Sequence, residues 1–150
     1  MIIRELQTFE INDAIALAME GFAKFEAPEY GEEGTQTFAR ILRDRDYLST
    51  LRWYGAFSGQ LMLGMIATRK QGSHITLFFV DEAYHRQGIG RRLFETAMSD
   101  AEGSMITVNA APAAVAVYRK LGFVAIKGEQ VTDGIRYTPM RFDIQRRGTA

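Results

Sequence analysis

No cysteine occurs in the chain, and among its 150 residues there are only two histidines and three prolines. Without cysteine there is no disulfide framework, no thiolate metal site and no thiol nucleophile, so every mechanism through an acyl-cysteine is excluded. Two histidines are too few to build a zinc centre, and no metal is expected. An excess of one charge is also missing. Lys plus Arg equals Asp plus Glu at 18 each, so no global field draws the protein to nucleic acid or to an anionic membrane, and neither is expected as a partner. Nowhere do about 18 apolar residues follow one another as a membrane-spanning helix requires, and "MIIRELQTFEIND" lacks the apolar centre of a signal peptide. A cytoplasmic location is the resulting expectation.

What is there suits one folded domain over 1–150. A hydrophobic share of 47% beside 24% charged residues is that of a soluble globular chain, and this length suits one domain with a hydrophobic core rather than two domains. Ile2 to Leu6 reads as a first strand. Asn12 or Asp13 caps a helix that carries Ile15, Ala18, Met19 and Phe22 on one stripe. The stretch "FEAPEYGEEGT" then breaks that helix with a proline, two glycines and four glutamates, which predicts an exposed, mobile loop before helical spacing resumes at "TQTFARILRDR".

"RWYGAF" and "LMLGMIATR" flank the turn "SGQ" and read as a hairpin, followed by "HITLFFV", whose apolarity on both faces predicts the middle of the sheet. Ile89, Leu93 and Ala97, with Phe94, Met98 and Ala101 beside them, form the core-facing stripe of the next helix. "SMITVNA" is a short strand. Pro112 opens a helix through "AAVAVYRKLG" that stops at Gly122. "FVAIKGEQV" and "IRYTPMRFDI" make a closing hairpin around Thr132-Asp133-Gly134, with Pro139 suggesting a strand near an edge. Edges in that hairpin, with the aromatics Trp53 and Tyr54, leave a homodimer open.

At the junction "HRQGIGRRL", two glycines one residue apart stand at the mouth of a helix. Backbone N–H groups in a first helical turn have no internal partners, and with the helix dipole they attract phosphate. A dinucleotide fingerprint needs a third glycine where Leu93 stands, and a Walker loop needs its Gly-Lys pair to begin there, so both fail. A basic helix start with glycines for close packing is the plainer reading of the loop alone.

The loop resembles the acyl-CoA pyrophosphate loop of the Gcn5-related N-acetyltransferase (GNAT) superfamily, Q/R-x-x-G-x-G/A. Gly88 and Gly90 fill the small positions, Arg86, Gln87, Ile89 and Arg91 the variable ones, and His85 replaces the opening Gln or Arg. "VNAAPAAVAVYRKLGF", Asn109 through Phe123, is similar to the superfamily's later motif, and the order of elements agrees over nearly the whole chain. The resemblance implies an α/β (α+β) GNAT fold, a mixed, mostly antiparallel sheet of about six to seven strands flanked by about four helices.

It also implies acetyl-CoA as cofactor, with the pyrophosphate on the N–H groups from Gln87 to Arg91 and positive charge from Arg86, Arg91 and Arg92. Phe79 and Val80 are then the strand residues that meet the pantetheine, and Asn109 holds the cofactor or orders a water. Tyr118 matches the family's general acid, although its helical stripe with Ala114, Val117 and Leu121 suits a core residue equally. His74 stands where histone-type members carry a catalytic Glu, and an imidazole can serve as base at neutral pH; an ordinary turn residue is the alternative. By family geometry the acceptor is lined by Phe25, Glu26, Tyr30, Arg136 and Tyr137. The expected activity is transfer of acetyl from acetyl-CoA to a primary amine of a small-molecule or peptide-like acceptor. A non-catalytic acyl-CoA-binding module, or a protein lysine or N-terminal acetyltransferase, is the alternative.

Overall fold

Strands with apolar residues on both faces need cover on both sides, and the chain supplies it with two layers of helix around one sheet. The computed structural model describes residues 1–145, so the end of the expected domain lies outside the described residues. Its strands are β1 (Ile2–Glu5), β2 (Arg52–Ser58), β3 (Leu61–Arg69), β4 (His74–Val80), β5 (Met105–Ala110), β6 (Val124–Ala125), β7 (Gln130–Thr132) and β8 (Ile135–Asp143). They run in the order β1-β2-β3-β4-β5-β8-β6, with β7 also on β8. Of these neighbours only β4 and β5 are parallel. Helices α1 (Ile11–Phe25), α2 (Ala27–Arg43) and α3 (Arg45–Ser49) cover one face, and α4 (Ile89–Asp100) and α5 (Val115–Leu121) the other.

This is the mixed, mostly antiparallel α/β architecture expected, with one more strand and one more helix among the described residues. "FVAIKGEQV" divides into β6 and β7, and α3 forms a short turn of helix after α2. The alternation within β2 and β3 sorts side chains between two cores. Trp53, Met65 and Ala67 pack under α1 and α2, while Tyr54 and Ile66 pack with Ile89, Leu93 and Phe94 of α4.

Three sequence expectations change. The loop predicted over "FEAPEYGEEGT" is mostly helix: only Glu26 separates α1 from α2, and α2 is two helical segments that meet at Gly31, whose own backbone is not helical (φ 66°, ψ −167°). Pro28 lies in the first turn, where its missing N–H is harmless. Tyr30 packs 5.4 Å from the Phe22 ring, and a Cβ on Gly34 would come 2.5 Å from the Gly134 oxygen, so the segment is tied down by contacts with distant residues. Helix α1 begins at Ile11, earlier than an Asn12 or Asp13 cap allows, because Gln7 N–H donates to Glu10 Oε1 at 2.8 Å and Arg4 grips both Glu10 oxygens. Met19, expected on the apolar stripe with Ile15, Ala18 and Phe22, faces solvent.

Trp53 and Tyr54 are buried, not part of a dimer surface. The indole N–H donates to the Leu48 carbonyl at 3.1 Å and the Tyr54 hydroxyl to Asp100 at 2.8 Å. Strand β8 lies near an edge, as Pro139 suggests, with β5 on one side and only the short β6 and β7 paired with it besides. Pro139 is tolerated because its carbonyl accepts from Ile126 N–H at 2.8 Å just past the end of β6. In an antiparallel strand N–H and C=O of one residue point the same way, so the missing donor faces the gap between two short strands.

Candidate active site

The site starts from a fault in the ladder. Along β3 and β4, Ala67 faces Leu77 and Thr68 faces Ile75, which leaves Thr76 as an extra residue. Such a bulge bends the strand and increases its twist. Pairing of β4 with β5 stops at the same place, with His74 on Thr107 and Ile75 on Val108. Beyond the bulge β4 stays paired with β3, Phe79 on Met65 and Val80 on Gly64, while its other edge parts from β5. A cleft of about 650 Å³ opens there between β4, the start of α4 and the face of α5. That volume lies within the ordinary range for small-molecule sites.

At the cleft's far wall α4 begins. Gly88 is its N-cap in the left-handed region (φ 79°, ψ 7°), a conformation that favours glycine. The first N–H groups of α4 have no partners inside the helix. A Cβ on Gly90 would meet Phe78 at 3.6 Å and Val80 at 3.8 Å, so the bare glycine keeps the helix mouth open over the strand. Arg86 is itself left-handed (φ 64°) and lines the cleft. Arg91 reaches across to α5, where Nη2 donates to the Lys120 carbonyl at 3.0 Å, so both cations stand at one rim. His85 turns back on the strand: Nε2 lies 2.7 Å from the Val80 oxygen, and its ring sits 5.4 Å from that of Phe25.

Two of the acid–base groups that line the cleft are pushed from their ordinary ranges. Tyr118 on α5 is buried edge-on against Phe78 (6.0 Å) and Phe123 (5.3 Å). Burial, and then the neighbouring Glu26 charge, pushes its phenol well above the ordinary tyrosine range, so it stays protonated at neutral pH. Glu26, at the junction of α1 and α2, also lines the cleft, and burial pushes its carboxyl up to about 7.

A family model for the Acetyltransferase (GNAT) domain matches residues 26–144. The chain belongs to the GNAT acetyltransferase family. That membership makes the protein an acetyl-CoA-dependent N-acetyltransferase. Solved GNAT structures share its fold at low identity. A GCN5-related N-acetyltransferase from Rhodopseudomonas palustris superposes with a TM-score of 0.81 at 20% identity, over 95% of each chain. The PaiA N-acetyltransferase of Thermoplasma acidophilum, in complex with coenzyme A, gives 0.72 at 20% identity over 95% of this chain and 98% of that one. An aminoglycoside 6'-N-acetyltransferase complexed with coenzyme A gives 0.63 at 15% identity over 99% of both. No curated protein sequence matches the chain.

Of the residues singled out in the sequence, the acetyltransferase brings Phe25, Glu26, Phe79, Val80, His85, Arg86, Gly88, Ile89, Gly90, Arg91 and Tyr118 to the one cleft. It does not bring the others there. Gln87 and Asn109 are exposed, the latter opposite Pro139 on β8. Tyr30 is buried against Phe22, Arg136 pairs with Glu129 at 3.1 Å, and the Tyr137 hydroxyl lies 3.1 Å from Thr132 Oγ1. Sequence reasoning missed Tyr84 and Lys120 as cleft residues. Both stand within or beside the two quoted motifs, and only that adjacency signalled them.

His74 begins β4, at the opposite end of the strand from Val80, and does not line the cleft. Its Nδ1 lies 2.8 Å from Thr107 Oγ1, and burial, then Arg69 and Lys70, push its imidazole down to about 4. The position suits a buried neutral ring that fastens β4 to β5. Since the folded value lies below the ordinary 6.5, the unfolded chain takes up a proton first, and stability present above that pH is lost as pH falls toward 4. The loss attributable to His74 should be on the order of 3 kcal/mol. Urea midpoints of wild type and His74→Gln, compared at neutral pH and at about pH 4, check this: equal acid sensitivity of the two would remove His74 from the account.

Proposed function

We propose that the acetyl donor binds in the cleft and that its acetyl group passes directly, in a ternary complex, to a primary amine of a small-molecule or peptide-like acceptor. The observation that carries this reading is convergence: the unpaired edge of β4, the open mouth of α4 and the Tyr118 phenol all border one cavity. The residues present fit acetyl-CoA. Free N–H groups at the start of α4, with Arg86 and Arg91 at the rim, suit a pyrophosphate. The backbone of Phe79 and Val80, released from β5, suits the pantetheine amides. When bound, the thioester supplies the activated acetyl group.

The chain's own part is to hold, orient and move protons. Tyr118 keeps a proton ready for the departing sulfur, and its setting among Phe78 and Phe123 excludes water from that step. Phe25 and Glu26 form the acceptor side of the cleft. Calorimetric titration with acetyl-CoA, NAD and ATP in separate runs tests the reading, followed by release of free coenzyme A thiol in the presence of primary amines. Selective acetyl-CoA binding and amine-dependent thiol release are expected. Absence of acetyl-CoA binding, or binding without amine-dependent release, would overturn it, the second outcome favouring a binding module.

A further inference from the structure

Among the described residues a single carboxylate, that of Glu26, lines the cleft. Glu26 occupies the single position between α1 and α2, and among the described residues its buried Oε2 has no hydrogen-bond donor. Burying a carboxylate oxygen without a donor is unfavourable, and such an atom calls for an explanation, a ligand or a catalytic role among them. The surroundings are specific. Tyr118 of α5 and Tyr30 of α2 both feel the Glu26 charge. His85 and Arg86 enter the cleft from the loop, and β4 contributes only Phe78, Phe79 and Val80. Arg136 of β8, the nearby cation, is engaged by Glu29 at 3.9 Å and Glu129 at 3.1 Å instead.

We propose that the Glu26 carboxylate receives the acceptor's ammonium group in the cleft and takes its proton, so that a neutral amine faces the thioester carbon. The proposal rests on the acetyltransferase reading above. The proton passes from nitrogen to the carboxylate, and the freed lone pair forms the new C–N bond while the carbonyl π pair moves onto oxygen. That pair returns as the C–S bond breaks. The departing thiolate takes the Tyr118 proton, and the proton still in excess on the new amide nitrogen restores the phenol. Glu26 then gives its proton to solvent, which balances one ammonium and one thioester against one amide, one thiol and one proton.

The apolar surroundings that leave Oε2 bare also set its basicity. With the carboxyl up at about 7, the group is a stronger base than a surface glutamate and still ionised enough at neutral pH to act. A carboxylate already paired by Arg136 would be a poorer base and would have no oxygen free for an ammonium.

The test uses the full chain with Glu26→Gln, acetyl-CoA, and two primary amines of different basicity, propylamine and glycinamide. Acetyl-CoA affinity by calorimetry should be unchanged. Turnover should fall by roughly 10² to 10⁴, more for the strongly basic propylamine than for glycinamide, and the rise of the wild-type rate through pH 7 should disappear. A second readout needs no acceptor. Because the folded carboxyl, at about 7, lies above its ordinary 4.5, the protonated form is favoured in the fold. Stability is unaffected below the ordinary value, declines as pH rises through that window, and stays lower above it. Glu26→Gln should therefore melt higher than wild type above pH 7 and alike below pH 4.5. Retained turnover with the same pH limb, or identical melting at every pH, would overturn the proposal. Failure of wild type to bind acetyl-CoA would overturn the acetyltransferase reading, so the two failures are distinct.

Discussion

Replacing Gly90 with valine should weaken acetyl-CoA binding by about 10² to 10³-fold and leave the melting temperature unchanged or slightly raised. The backbone at Gly90 is ordinary helix, and the first added carbon finds Phe78 and Val80 at 3.6 and 3.8 Å, which is comfortable contact. The protein therefore accepts a side chain there, and glycine inside a helix is itself unfavourable by about 1 kcal/mol relative to alanine. A ligand on the first N–H groups of α4 does not accept it. Branched methyl groups over β4 would hold a pyrophosphate away from those donors, and losing two charge-assisted hydrogen bonds, at ~2 kcal/mol each, corresponds to that change in affinity.

Gly88 supplies the contrast. Its φ of 79° strains any other residue, yet nothing lies within 4 Å of an added Cβ, so alanine there should lower stability by roughly 1 kcal/mol. Calorimetry with acetyl-CoA and thermal melts on the two variants separate the roles. Wild-type affinity in Gly90→Val would remove the helix mouth from the binding site.

Tyr118→Phe should reduce turnover by ~10² to 10⁴ with little change in acetyl-CoA affinity. The ring is held by Phe78 and Phe123, and phenylalanine keeps those contacts, so only the hydroxyl proton is lost. Since burial and Glu26 hold the phenol above its ordinary range, it remains a donor throughout an ordinary assay range, and the wild-type profile should show no loss of activity on the alkaline side from this group. Steady-state kinetics at saturating acetyl-CoA measure the effect. Equal kcat in the two proteins would return Tyr118 to the core, a role its helical stripe also fits.

The sequence made the fold legible where local chemistry and tertiary packing agree. The α4 stripe, the "SGQ" and Asp133-Gly134 turns and the Gly122 stop all appear where their residue types require. It misled where packing overrode local preference. In "FEAPEYGEEGT" the charges, proline and glycines argue for a loop, but Tyr30 packs on Phe22 and Gly34 on Gly134, and the stretch is helical on both sides of a break at Gly31. The second of these contacts joins positions 100 residues apart in the chain, and no local pattern encodes it. His74 begins β4 as the sequence reading has it, but counting back from the glycine loop does not tell that this end of the strand lies outside the cleft.

By itself, then, the sequence determined the absence of thiol chemistry, the order of elements, the glycine-bearing helix mouth and the tyrosine one turn before Gly122. All of these are properties of residue type and short spacing. The tertiary structure decided the rest. One extra residue, Thr76, bends β4 away from β5 and opens the cleft, and the return of α2 against β8 buries Glu26 opposite Tyr118 with an oxygen left bare. Register and burial depend on every strand and helix at once, and no short stretch of sequence encodes them.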